Sequence, residues 1–450
     1  MKRHNIKKLL AAALLCAVAM GAQAQNGFNM PFSQFGIGSG EQPYNLPMVT
    51  RMGGVAYTRS GNNFVNPFNP ASYGSIERES FVFDMGVNMQ INTLSDGQGN
   101  SLRDADGNIA YLMIALPITD WWKVSAGLMP YSTVDYESVN QQAGAYGLMK
   151  TVYNDTGGVN ELFFGSAFNI LKGGSKTPSL QVGFNLNYLT GRIMRHISYS
   201  FLGSDTSYYV NSRRSKQTTL NNLTFDLGLQ MSQPLGEHFT LGLGLVYKPR
   251  LELNINEMAL IYTYQDAGAG SISLVDTIFP AQGTNPGFTS TLEQGQTIGI
   301  GLNLDYNHRW LMAIDATIAD WQGMKYTEGQ SPSIFGTSSL SYGPYGRYAL
   351  GLEKMGDMDA STYWGRMSWS VGIHTASGAL RLTLDGQEHR LDEWGAGLGV
   401  TMPMRKGRSL LTLSAGYSRL GSTDVLQCDT WTFGIAVSSC ERWFFKRKYN

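Results

Sequence analysis

Apolar and polar positions alternate strictly over residues 80–90. Phe81, Phe83, Met85, Val87 and Met89 fall on one face and Asp84, Gly86 and Asn88 on the other. The same period-two pattern returns at 180–188, where Leu180, Val182, Phe184 and Leu186 oppose Gln181, Gly183 and Asn185. It recurs at 223–231, 239–247, 298–306, 310–318, 345–354, 367–373, 394–402, 411–417 and 431–437, with less regular versions at 109–118, 121–136 and 159–171. About fourteen alternating runs of roughly ten residues each are the pattern of a transmembrane β-barrel. A soluble β-sandwich also alternates, but its strands run nearer five or six residues. Here the polar faces carry charge in mid-strand, at Asp226, Asp305, Asp315 and Arg366. Such groups belong in a wet or filled lumen, not in hydrocarbon. Tyr188, Tyr306, Trp310 and Trp122 stand at strand ends, where interfacial aromatic girdles form. The fold class expected is therefore all-β: a transmembrane antiparallel barrel of about 14 strands with an N-terminal plug in its lumen. Short connections after even-numbered runs and longer ones after odd-numbered runs, 256–293 being the longest, place both termini in the periplasm.

Upstream of residue 79 no alternation persists. The stretch 25–78 is rich in Gly, Asn and Pro, which alone would suit a solvated arm. It also holds Phe28, Phe32, Phe35, Tyr44, Tyr57, Phe64, Phe68 and Tyr73, more buriable surface than a linker carries. It reads as a hatch, with Asn66, Pro67, Asn69, Pro70 and Ala71 forming the joint to the first strand. Lys2, Arg3, Lys7 and Lys8, the apolar run 9–20 and Ala22-Gln23-Ala24 make residues 1–24 a secretory signal. The barrel then occupies 79–446 and a basic tail 447–450.

Composition narrows the reading. Charged residues are only 15% of the chain and Gly numbers 53 of 450, sparse charge for a soluble protein of this length. No interior run reaches the ~18 apolar residues of a spanning helix. Removal of the leader takes four positive charges from a balance of 34 basic and 34 acidic residues. The mature chain is thus mildly acidic, with no basic face for nucleic acid. Cys428 and Cys440, separated by ~40 Å if the strand between them is extended, are beyond disulfide reach.

Candidate chemistry is thin. The histidines show no metal-ligand spacing, and no metal or cofactor is expected. Asp104 to Asn108 reads as a hairpin tip, lacking the rest of a calcium loop. His374 and Ser370 share a face of one strand but stand ~13 Å apart, too far for a nucleophile and its base. The chain reads as no enzyme. Asp226, Asp305, Asp315, Arg347, Glu353, Arg366 and Glu393 read as a lumen network holding the plug, paired because a filled lumen is poorly hydrated.

The plug-then-barrel order, Asn69-Pro70-Ala71 before the first strand, and the hairpin IGIGLNLDYNHRWLMAIDATIADWQGM with Asp315 and Trp321 resemble the FadL/TodX family, and the closing Glu441-Arg442-Trp443-Phe444-Phe445 resembles its Bacteroidetes-type members. The resemblance implies an outer-membrane transporter of hydrophobic compounds such as long-chain fatty acids. A ligand is caught by extracellular loops and released sideways through the wall. Gly127 and Pro130 in one strand offer a place for that opening, since proline removes a ladder hydrogen bond and glycine permits a kink. Phe64, Phe68 and Met129 are the apolar residues expected along the path. A different class of function also fits: a non-transporting barrel serving a protein secretion system. An apolar pocket under the loops favours transport, a dry-packed lumen the partner role. Expected partners are outer-membrane lipid, a hydrophobic small molecule and the barrel-assembly machinery during insertion, with the protein itself a monomer.

Overall fold

The computed structural model describes residue 33, residues 37–40 and most of 46–442; within that range 97, 145–146, 175, 203–209, 269–270, 280–286, 322–325, 328–340, 385–386, 405–407 and 423–425 are not described. The leader, most of 25–45 and the basic tail therefore lie outside the described residues. Fourteen strands close on themselves. They are β1 Ser80–Ser95, β2 Ser101–Pro117, β3 Trp122–Gly144, β4 Gly147–Leu171, β5 Ser179–Leu202, β6 Asn211–Leu235 and β7 Phe239–Lys248. The second half comprises β8 Thr297–Tyr306, β9 Trp310–Ala319, β10 Tyr345–Lys354, β11 Ser368–Ser377, β12 Glu393–Met404, β13 Ser409–Ser422 and β14 Leu426–Arg442. Each pairs antiparallel with its neighbour, and β1 pairs with β14 from Ser80↔Arg442 to Ser95↔Gln427. This is a closed antiparallel barrel, as the alternation predicts.

The faces are sorted as lipid demands. Leu241 and Leu245 on β7 are 39% and 37% exposed, while Gly242 and Gly244 between them are buried. Ile298, Ile300 and Leu302 on β8 and Met312 and Ile314 on β9 likewise point outward. In a bilayer those side chains meet acyl tails, and the ladder leaves no open edge in hydrocarbon. At one end most strands are joined by short turns, with 355–367 between β10 and β11 the longest there. Asn307 and His308 there adopt positive φ (53° and 52°), with Asp305 accepting from the His308 amide at 2.8 Å. The other end carries the longest connection, 249–296, beside short ones such as 96–100, so the expected asymmetry of connection lengths holds only in part.

Two features exceed the sequence expectation. First, β3 to β6 run 23 to 25 residues, far beyond a bilayer's thickness. Their outer halves form a curved sheet continued by strands Leu251–Gly268 and Gly287–Gln294. The longest connection is thus not a loop but more sheet. Second, Asp104 to Asn108 lie within β2, not at a hairpin tip. The tip is Asp96 to Asn100, where the Asp96 carboxylate accepts from the Gln98 and Asn100 amides.

Candidate functional site

Residues 46–76 run through the lumen and touch the inner face nearly all the way round. The segment opens with a short helix, α1 Pro47–Thr50, whose four residues are all buried. A 3-10 turn over Pro70–Ser75 follows, capped by the Asn69 side chain, which accepts from the Ala71 amide at 3.1 Å. Asn66 holds the coil between them, donating to the carbonyls of Ala56 and Arg59 at 2.7 and 2.8 Å. The motif residues thus shape a compact coil, and Asn69 also donates to the Leu229 carbonyl of β6 at 3.1 Å.

The barrel is fitted to this coil by missing side chains. A Cβ on Gly228 would meet the Pro70 ring at 2.7 Å, and one on Gly183 the Pro70 carbonyl. On the opposite wall, a Cβ on Gly372 would strike the Met52 carbonyl, and one on Gly397 that of Thr50. Gly53 sits at φ +62°, and any side chain there would enter the Gly372 backbone. The alternating glycines of the polar faces are therefore room for a backbone, a reason the strand pattern alone does not show.

Charge completes the fit. Glu353 on β10 takes Arg51 Nη1 on one carboxylate oxygen and Arg59 Nη1 on the other, each at 2.7 Å, with Arg51 also reaching Ser370 Oγ. Asp315 on β9 accepts from the amides of Ala56 and Tyr57 at 2.6 and 2.8 Å. Arg347 donates to the carbonyls of Gly54 and Gly53. Three of the seven residues expected in a lumen network thus grip the coil directly. Asp226 accepts from Asn187 at 2.9 Å, and Glu393 faces His374 at 3.5 Å, both buried in the wall. Two are not in the network. Asp305 caps the β8–β9 turn, and Arg366 lies in the 3-10 turn before β11, stacked over the Tyr363 ring at 5.4 Å. Strand parity placed both on the inner face. Asp305 stands one residue from the strand end, where a turn competes for its carboxylate, and β11 begins only at Ser368. Arg51 and Arg59 escaped sequence reasoning because a coil has no period that marks which side chains turn outward.

The expected path residues are partly brought together. Phe68 and Met129 pack on one apolar cluster with Val65, Tyr73 and Phe163. Phe64 is buried under the Arg59 guanidinium, 5.9 Å from its ring centre. A small cavity of about 10 Å³ lies where β3 to β7 leave the apolar band. Its lining is mixed: Tyr131, Glu161, Asn187, Thr224, Asp226, Lys248 and Gln294 share it with Phe225, Pro249 and Leu251. It has room for about one water.

The wall itself is interrupted. β2 pairs with β3 only from Pro117↔Lys123 to Leu112↔Leu128. Beyond that point β2 continues with β1 as far as Ser95↔Ser101, and β3 continues with β4 as far as Gly144↔Gly147. Residues 101–111 and 129–144 are therefore not laddered to each other. Gly127 and Pro130 sit where the strands part. A bulge follows at once, with Pro130 opposite Asn160 and Ser132 opposite Val159, leaving Tyr131 unmatched. The freed edge of β3 is met by the chain's own N-terminal part: Ser39 and Gly40 pair with Thr133 and Ser132.

Above the apolar band, Asp155 on β4 lies 3.5 Å from Arg195 on β5. Burial pushes its carboxyl up to about 6, against the pull of Arg195. A raised carboxyl binds its proton more tightly folded than unfolded, so ionisation above about pH 6 costs stability and protonation restores it. Asp155→Asn is thus expected to flatten the pH dependence of amide exchange in β4 and β5 between about pH 4 and 6, where the parent chain loses protection as pH rises. Equal slopes in parent and variant would count against this assignment.

No curated protein matches the chain. Among solved structures, a FadL homologue from Pseudomonas aeruginosa aligns with TM-score 0.51 at 14% identity, covering 93% of this chain and 100% of that one. The CymD monoaromatic hydrocarbon channel aligns with TM-score 0.51 at 12% identity, over 90% of this chain and 100% of that one. The Pseudomonas putida toluene transporter TodX gives 0.51 at 13%, over 88% and 100%. At such identities the likeness establishes the fold, which is that of the FadL/TodX-type outer-membrane channels. A family model described as BamG matches residues 5–450. Spanning the lumen coil and every strand described above, that match makes the chain a member of the BamG family.

Proposed function

We propose that the protein passes hydrophobic small molecules from the outside into the outer membrane, its long-loop end facing outward and both termini lying on the periplasmic side. The observation that carries this reading is the parting of β2 and β3 beyond Leu112 and Leu128. A barrel whose lumen is stoppered has no axial route, so a molecule admitted under the outer sheet must leave through the wall. An unladdered stretch beside outward-facing Leu128 is the place where a hydrophobic solute could enter lipid without crossing polar headgroups. The similar structures include a toluene transporter and a monoaromatic hydrocarbon channel, and that is the class of ligand we infer here. Residues 25–78 act as the hatch, with 79–446 as the barrel.

The test straightens β3 at the parting, on the β4-facing side where the bulge lies. Deleting Tyr131 and replacing Pro130 by valine takes out the bulge and restores the missing donor. Influx of a fluorescent naphthylamine into vesicles carrying this variant is expected to fall to that of protein-free vesicles, with the parent well above both. Equal influx in parent and variant would refute the lateral route.

A second reading rests on a different observation, the packing of the lumen. The coil is moulded to the glycines and clamped by Glu353, Asp315 and Arg347. That is the filled interior expected of a non-transporting barrel that serves a protein secretion system, its work done by the long outer sheet. On this reading parent vesicles admit no probe, and the protein co-purifies with other envelope proteins instead of with hydrophobic small molecules.

A further inference from the structure

The joint between the first and last strands is where any barrel must finally close, and here that joint is tied to the lumen coil. Asp84 on β1 stands opposite Ser438 on β14 and is almost wholly buried. One of its carboxylate oxygens accepts from Ser438 Oγ across the joint at 2.9 Å and from Tyr111 Oη of β2 at the same distance. The other accepts from the Val65 amide of the coil at 3.1 Å. Nearer the long-loop end, Thr430 of β14 donates to Asn92 of β1 across the same joint. The helix α1 seats Pro47 between the two strands, 2.7 Å from where a Cβ on Gly434 would stand.

We infer that docking of residues 46–76 completes barrel closure: the coil presents the Val65 amide to Asp84, and the charged acceptor so held is what captures Ser438 of the arriving last strand. The chain order makes this workable. The coil directly precedes β1, so it can fold against β1 before β14 exists as a partner. A lone buried carboxylate facing an open seam is costly, and each donor lowers that cost. With Val65 and Tyr111 already in place, the Ser438 hydroxyl completes the set as the seam zips. The coil is then part of the closing device, beyond any role in passage or partnership.

A native cysteine reports the event. Cys440 faces Val82 across the joint, and among the described residues Cys428 and Cys440 are both free. In a Val82→Cys background a cross-seam disulfide marks closed barrels during assembly in cells. Adding Val65→Pro deletes the amide donor, together with some local packing and backbone freedom, and is expected to slow formation of that disulfide at least roughly tenfold, the size of losing one hydrogen bond to a charged group. Tyr57→Phe, which removes the coil's bond to Thr317 far from the joint, is expected to leave the rate unchanged. Equal rates in the Val65→Pro and parent backgrounds overturn the inference. An equal slowing by Tyr57→Phe overturns it too, since the effect would then be general loosening of the coil. Asp84→Asn keeps an acceptor in shape without charge and should fall between.

Discussion

Glu353→Gln is expected to destabilise the full chain by about 3–5 kcal/mol, the usual cost of stranding buried charge. Arg51 and Arg59 each send a guanidinium to this one carboxylate, and the side chains of Arg51 and Glu353 are only 2% and 4% exposed. An amide keeps one acceptor oxygen where the carboxylate has two, and it neutralises neither cation. The two arginines would then repel inside a lumen with little water to screen them. The measurement is the temperature at which the folded, fast-migrating form is lost on unheated gels, with trypsin cleavage after Arg51 and Arg59 as a local readout. We expect the variant to melt well below the parent and to be cut at both sites before the barrel opens. A compensated variant keeps the test sharp. Replacing all three residues with apolar ones of similar size, Arg51→Met, Arg59→Met and Glu353→Leu, removes the charges together and is expected to recover most of the loss. If Glu353→Gln melts with the parent, the clamp is not what holds the coil.

The barrel could be read from the chain because lipid enforces a period. Each strand must bury its ladder and sort its side chains, so Leu241, Leu243 and Leu245 declare their face without help from the rest of the fold. All fourteen runs correspond to strands of the closed ring. What lies inside has no such rule. Arg51 turns to Glu353 because a coil of fixed shape brings it there, and nothing in the local sequence marks that turn. Asp315 and Arg347 were visible as charges on an inner face, but their partners are backbone groups of Ala56, Tyr57, Gly53 and Gly54, which carry no sequence signature. The outer halves of β3 to β6 were missed for the opposite reason. Out of the bilayer both faces meet water or other protein, so alternation fades although pairing continues. The parting of β2 and β3 was half legible: Gly127 and Pro130 mark a weak ladder, yet the end of pairing at Leu128 depends on the bulge at Tyr131 and on Ser39 and Gly40 meeting the freed edge.

The glycines offer the second large effect, and it separates room for a backbone from mere β-strand composition. Gly397→Val places two methyl groups and a Cβ where the Thr50 carbonyl now lies, with the Gly53 amide nitrogen 3.2 Å from that Cβ. The carbonyl cannot yield cheaply. It accepts from the Gly53 amide at 3.1 Å, while the Thr50 hydroxyl is tied to the Leu46 carbonyl. Retreat of α1 would draw the adjacent Arg51 away from Glu353, so steric and ionic costs arrive together. Overpacking alone costs about 1–3 kcal/mol, and a weakened buried pair adds to it. The expected result is a chain that inserts less well and melts several degrees or more below the parent. The neighbouring Leu398→Val, on the lipid face of the same strand, is expected to stay within about 1 kcal/mol, because lipid fills the space a wall residue vacates. A glycine kept only for strand geometry would predict the reverse order, since valine favours strands. Finding Gly397→Val as stable as Leu398→Val, with Arg51 still shielded from trypsin, would mean the coil does not sit against β12.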